Sequence, residues 1–125
     1  MSGISLDAGA LIAIERGDAD VRALLREAVE RRLEVHVVPE VVAQVWRGGS
    51  RQARLAAVLS ARGVDTPDYD LLAAREVGRL CGATGRSDVV DAHVVWHARS
   101  RGHLVVTSDP DDLAVLDPTL PLVRV

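Results

Sequence analysis

Short β-branched and aliphatic runs alternate along this chain with longer segments in which apolar residues recur every three or four positions. That alternation leaves few folds open, because a strand that returns through a helix must pair in parallel with its predecessor, and helices then cover the sheet. Residues 4–6 form a first short run that stops at Asp7, and residues 8–16 suit a helix ended by Gly17. Asp18 is placed to cap a second helix carrying Val21, Leu24, Leu25, Ala28 and Val29 on one face. Residues 35–38 read as a strand halted by Pro39, which opens a helix over residues 40–47 that Gly48 and Gly49 end. Ser50 caps a fourth helix running to Arg62, residues 63–67 hold a brief strand, and Asp68 starts a fifth helix reaching about Gly82. Residues 88–101 carry Val89, Ala92, Val95 and Trp96 on a helical stripe, Gly102 ends it, and residues 104–106 form a buried strand. A short helix begins near Asp109 and Pro110, and residues 122–125 offer a last strand. The expectation is an α/β fold, with a central parallel sheet of four to five strands covered by helices on both faces.

Composition narrows the functions. At 125 residues the chain is sized for one domain, 1–125, with enough apolar content for a real core. No apolar run reaches the roughly 18 residues of a membrane span, and no basic-then-apolar leader opens the chain, so a cytoplasmic location without membrane contact is expected. The single cysteine, Cys81, excludes an intramolecular disulfide and a sulfur-rich zinc site. A net charge of −3 argues against holding nucleic acid by a bulk positive field, so any such contact must be local.

Ligand sites of open parallel sheets lie beyond the carboxyl ends of the strands. Here those ends are acidic: Asp7 closes the first strand, Glu40 follows the second by two residues, and Asp109 follows the strand at 104–106. Asp88 and Asp91, three apart in the opening turn of the helix feeding that strand, share a face and reach the same edge. Taken singly, Asp7, Asp88 and Asp109 also suit helix caps, and Glu40 suits a first turn where the helix dipole favours an anion. Their convergence from four segments favours a site. Clustered carboxylates stay ionised only beside a cation. Oxygen ligands without a Cys or His set select a hard divalent ion, Mg2+ or Mn2+, which activates water for phosphodiester hydrolysis.

These motifs resemble those of PIN-domain ribonucleases, in particular the VapC-type toxins of bacterial toxin–antitoxin pairs. The residues that carry the likeness are Leu6-Asp7-Ala8, Pro39-Glu40-Val41-Val42, Asp88-Val89-Val90-Asp91-Ala92, and Thr107-Ser108-Asp109 leading into Asp112-Leu113. The resemblance spans nearly the whole chain. It implies a PIN-like three-layer sandwich and Mg2+- or Mn2+-dependent endonucleolytic cleavage of RNA. Asp7, Glu40 and Asp91 would be the principal metal carboxylates, Asp109 a fourth acid, and Thr107 a support. A cognate antitoxin and a homodimer are the implied partners. The third acid is Asp91, Asp88 or both, and Asp112 ranks below the others.

Other features bear on the reading. His93 and His97 lie four apart beside Trp96, but the glutamate and third ligand of a zinc helix motif are missing, so packing is expected of them. His36 and His103 carry no partner motif. Arg86 beside the acidic loop is the weak substrate-binding candidate, while Arg47, Arg51 and Arg54 default to solvated surface. Val41, Val42, Val45 and Trp46, followed by Leu55, Val58 and Leu59, give two apolar stripes, part core and part groove for an antitoxin segment, with Trp46 as its exposed anchor. With few aromatics, RNA recognition would rest on shape and phosphate contacts. Receiver-type phosphoacceptor domains share the acidic strand ends but need a lysine that this chain lacks. A housekeeping RNA-processing nuclease and a catalytically silent PIN-like RNA- or protein-binding module are the alternatives.

Overall fold

In the computed structural model, which describes residues 2–125, all five strands run parallel. They are β1 (Gly3–Leu6), β2 (Glu34–His36), β3 (Val64–Asp65), β4 (His103–Thr107) and β5 (Leu122–Arg124), in the order β3-β2-β1-β4-β5. The chain therefore winds outward from β1 to β3, then crosses back to lay β4 against the other side of β1. Parallel crossovers keep one hand, so reversing the direction of winding reverses the face on which the connecting helices land. Helices α1 (Ala8–Arg16), α2 (Ala19–Glu30), α3 (Pro39–Val45) and α4 (Ala53–Leu59) pack together as one layer. Helices α5 (Leu71–Thr84), α6 (Val89–Arg101) and α7 (Pro110–Leu116) form the other. The expected α/β three-layer sandwich is what forms, with five strands.

Two packed interfaces make the core. Ile4, Leu6, Val35 and Val106 are buried with Leu11, Ile14 and Val21 of the first layer, and Ala92, Val95 and Ala98 of α6 are buried together with Val77 of α5. Local signals set most helix ends. Asp7, Asp18, Asp70 and Asp88 accept backbone N–H bonds at four N-termini, and Gly17, Gly85 and Gly102 adopt the left-handed conformation that closes α1, α5 and α6.

The boundaries of three helices differ from the sequence expectation. Helix α3 stops at Val45 rather than Arg47, and Ser50 caps nothing; residues Ser50–Gln52 form a 3-10 turn and α4 begins at Ala53. The cause is Gln52, 4% exposed, whose Oε1 accepts from the N–H groups of Arg47 and Gly48 at 2.8 and 2.9 Å while its Nε2 donates to Val45 O at 2.8 Å. A buried amide thus organises this turn, which residue-by-residue propensity does not reveal. Helix α5 is capped by Asp70, not Asp68, and runs through Gly82 to Gly85, where a positive φ of 68° ends it. Helix α4 ends at Leu59, before the expected Arg62. No helix among the described residues is long and apolar enough to cross a membrane.

Leu11 is fully buried in the first layer. Leu11→Ala is expected to lower unfolding free energy by about 2–5 kcal/mol through lost transfer energy and a residual cavity. The check is urea unfolding, where the midpoint should fall with an unchanged slope.

Candidate active site

The winding reverses between β1 and β4, so their carboxyl ends leave a crevice that no crossover fills. Asp7 leaves β1 into this crevice. Its N–H donates to Val106 O at 3.2 Å, tying it to β4, while its Oδ1 accepts from Ala10 N at 3.0 Å and caps α1. Thr107, fully buried at the end of β4, works in two directions. Its hydroxyl acts on the Asp7 carboxylate, lowering its pKa, and its Oγ1 accepts from Asp109 N at 2.9 Å. The connecting Ser108 lies directly over Gly9, where a side chain would put Cβ 2.6 Å from Ser108 Cβ and 2.9 Å from its backbone N. The bare backbone at Gly9 lets the β4 turn close down on α1.

A cavity of about 260 Å³ opens here, lined by Asp7, Asp91 and Asp109 with Gln44 and Ser108, over apolar walls that include Ile12, Val41 and Leu113. A neighbouring cavity of about 200 Å³ shares Asp91 and adds Arg86, Ser87, Asp88 and Asp112. On the other side a third, of about 530 Å³, shares Gly9, Ile12 and Ser108 and adds Arg16. The three adjoin through these shared residues, and the groove they outline has carboxylates at its centre and an arginine in each flanking cavity. A larger cavity, about 590 Å³, lies at the amino ends of β2 and β3 and is mostly apolar, so size alone does not choose the site.

Electrostatics mark the same centre. Asp91 is pushed up to about 6, first by burial and then by Asp88, Asp7, Asp112 and Asp109 around it. Burial likewise raises Asp7, against the lowering effect of the Thr107 hydroxyl and the backbone N–H groups. Asp109 is raised by a hydrogen bond with Asp112 and by the neighbouring acids.

The caps separate the candidates. Asp88 Oδ1 is committed to Val90 N and Asp91 N, both at 3.0 Å, and Asp88 does not line the central cavity. Asp91 lines both acidic cavities, and Asp109 stands at the head of α7 without forming a side-chain cap bond. Glu40 is drawn aside. It does not line the central cavity, and its Oε2 accepts from Nδ1 of the fully buried His93 at 2.7 Å, on whose ring Tyr69 stacks at 4.3 Å. Its other oxygen, Oε1, is buried without a partner. Arg86 joins the groove, whereas Arg47 donates to Ala43 O and Trp46 O at its own helix end. Trp46 is 40% exposed, but Val41, Val45 and Leu55 of the two apolar stripes are core. Sequence reasoning missed four participants: Ser108, Gln44, Arg16 and the His93 anchor. Gln44 was signalled by its i+4 spacing from Glu40; His93 had no local signal.

No family model matches the chain, and no curated protein matches it at significant similarity. Solved structures do. A chain of VapBC2 from Rickettsia felis, bound to a DNA fragment from its promoter, superposes with a TM-score of 0.72 at 16% identity, covering 98% of each chain. DNA-bound VapBC from Salmonella typhimurium gives 0.71 at 19% identity, over 99% of this chain and 98% of that one. VapBC-5 from Mycobacterium tuberculosis, a member of the VapBC family of toxin–antitoxin systems, gives 0.60 at 26% identity over the whole of both chains. The resemblance carried by the acidic motifs is therefore matched, at the level of the fold, along the full chain.

The crowding at Asp91 has a stability consequence in metal-free protein. Between its ordinary value of 3.8 and about 6 the folded chain holds a proton that the unfolded chain has lost, so stability falls as pH rises through that window. Asp91→Asn removes the effect. Its melting temperature should match wild type near pH 4 and exceed it at pH 7.5, as read by thermal unfolding in chelator; equal melting at both pH values would mean that Asp91 is not crowded.

Proposed function

We propose that this chain is a divalent-metal-dependent endoribonuclease, the toxin of a toxin–antitoxin pair. The observation that carries the reading is the groove at the sheet's switch point, with Asp7, Asp91 and Asp109 at its centre and Arg86 and Arg16 at its ends. The donor set fits the metal: three carboxylates on one cavity, all pushed up in pKa by burial or by neighbouring acids, are hard oxygen ligands without nitrogen or sulfur competitors. Asp7, Asp91 and Asp109 would hold Mg2+ or Mn2+. Glu40 is the fourth carboxylate, anchored through Oε2 on His93 with its buried Oε1 free to accept. Asp88 supports from the cap of α6, and Asp112 from beside Asp109, whose pKa it raises. When bound, the ion would lower the pKa of a water and offset charge on the phosphoryl oxygens.

The chain's own residues do the rest. The Asp7 N–H bond to Val106 O and the Asp109 N–H bond to Thr107 Oγ1 tie both acids to β4, so the two ligands would keep their spacing. Ile12, Val41 and Leu113 line the cavity with apolar surface and limit bulk water. Arg86 and Arg16 would bind phosphates on either side of the scissile one, which reconciles a net charge of −3 with an RNA substrate: the positive charge is local.

The partner reading rests on a separate surface. The 590 Å³ apolar cavity, lined by Leu25, Val29, Leu33, Val58 and Val64 and edged by Arg26, Arg32 and Arg62, suits an amphipathic antitoxin segment with acidic flanks. Leu71 and Leu72, 64% and 67% exposed on the first turn of α5, offer apolar surface for a second copy.

The test is cleavage of structured RNA by purified, antitoxin-free protein. Mg2+ or Mn2+ should support cutting, excess EDTA should stop it, and Asp7→Asn or Asp91→Asn should each reduce the rate by at least about a hundredfold while the fold is kept. Cutting that persists in EDTA, or at the wild-type rate in both variants, would remove the metal mechanism; a folded wild type that binds RNA without cutting would favour a silent binding module. Arg16→Ala and Arg86→Ala should raise KM with little change in kcat and lower the salt dependence of RNA binding by about one phosphate contact each.

A further inference from the structure

Three of the chain's four histidines, His36, His97 and His103, meet in the core, away from the acidic cleft. Parallel register explains how. Gly3 of β1 pairs with Glu34 of β2 and His103 of β4, and Ser5 pairs with His36. Residues two apart share a face of a strand, so Glu34, His36, Gly3, Ser5 and His103 all stand on one face, the one that α6 covers with His97. His36, His97 and His103 are 6%, 4% and 1% exposed.

Their hydrogen bonds leave an account open. His36 Nδ1 and His97 Nε2 share a proton at 2.8 Å, and His103 Nδ1 meets Ser5 Oγ at 2.9 Å. His103 Nε2 is buried with no partner. It sits over bare backbone, 2.8 Å from where a Cβ on Gly3 would fall, and 3.9 Å from Glu34 Oε2. The same Glu34 oxygen lies 3.4 Å from His36 Nε2, on a side chain that is 57% exposed and so forms the mouth of the cluster.

We propose that His36, His97 and His103 form a second metal site that takes a transition ion of the zinc class, with the Glu34 carboxylate as fourth ligand from the mouth. One ring nitrogen from each histidine already lies within 4.8 Å of the others. Tetrahedral zinc, with Zn–N near 2.0–2.1 Å, needs its nitrogens about 3.3–3.5 Å apart, a span that small ring rotations supply. The rings are in the right state. Burial and the neighbouring histidines hold His97 down to about 4, and burial also lowers His103, so at neutral pH both offer lone pairs rather than positive charge. Imidazole nitrogen selects zinc, cobalt or nickel over magnesium, so this site and the carboxylate cleft divide hard and borderline ions between them. The ion would bridge β2, β4 and α6 across β1 and stabilise the folded sheet by linkage.

Ring-nitrogen NMR of the full, chelator-treated wild-type chain tests this without a variant. One equivalent of Zn2+ should move three of the four histidines to metal-bound shifts, leave His93 in place, and resist excess Mg2+. Cobalt should give the intense visible bands of a tetrahedral site, and Asp7→Asn protein should behave as wild type. Zinc should raise the melting temperature of wild type, and a folded His97→Gln variant should lose at least about tenfold in zinc affinity, as each 1.4 kcal/mol of lost coordination is a factor of ten. No histidine shift at one equivalent, a shift of His93 alone, weak octahedral cobalt bands, or loss of the signature in Asp7→Asn would each overturn the second site.

Discussion

The pairing of β1 with β4 is the contact on which the molecule depends. It joins residues about a hundred positions apart, Gly3 to His103 through Leu6 to Val106, at the point where the winding of the sheet reverses. That reversal sends the helices to opposite faces, so one pairing creates both layers of the core and the crevice between the strand ends. Asp7 and Thr107 are simply the residues that each strand delivers to that crevice. Long-range parallel pairing costs loop-closure entropy before it gains contacts. Both strands are short and almost wholly buried, and Ile4, Leu6, Val105 and Val106 contribute apolar area on closing.

The acids of the crevice cost the fold stability. Five aspartates, Asp7, Asp88, Asp91, Asp109 and Asp112, act on one another there, and burial adds a penalty to the charges at the centre. The surrounding structure offsets part of this. Helix N-termini take up Asp7 and Asp88, and the Thr107 hydroxyl lowers the pKa of Asp7. Glu40 is stabilised differently, by a buried histidine under a tyrosine ring. A site with such unrelieved repulsion is poised to gain from a cation.

The sheet is also unequal in its two faces. One carries Ile4, Leu6, Val35 and Val106 and packs by apolar contact alone. The other carries Ser5, His36, His103 and Thr107, all buried, under α6 with its own His93 and His97. A polar face inside a core is costly unless its groups are satisfied. Most are, in pairs that link separate elements; His103 Nε2 and His93 Nε2 are not. These pairs give α6 a defined position on the sheet, which in turn sets where Asp91 points.

Much of this was legible in the sequence because it is written locally. Glycine C-caps, aspartate N-caps, prolines at first turns and β-branched runs indicated the order and type of nearly every element, and the rule of acidic strand ends pointed to Asp7, Glu40 and Asp109, with Asp88 and Asp91 added by the helix that feeds β4, before any pairing was known. A buried group overrode local preference where Gln52 ends α3 early, and of two local cap candidates two residues apart, Asp70 rather than Asp68 caps α5. Tertiary structure alone decided that Asp91 and not Asp88 faces the central cavity, that Glu40 turns to His93, that Arg16 and Arg86 end one groove, and that three histidines spread over sixty-seven positions converge. The physical reason is common to all four. Helix and strand periodicity say which face a residue shares within its own element, whereas strand order and register, set by the summed burial of the whole core, say which faces meet.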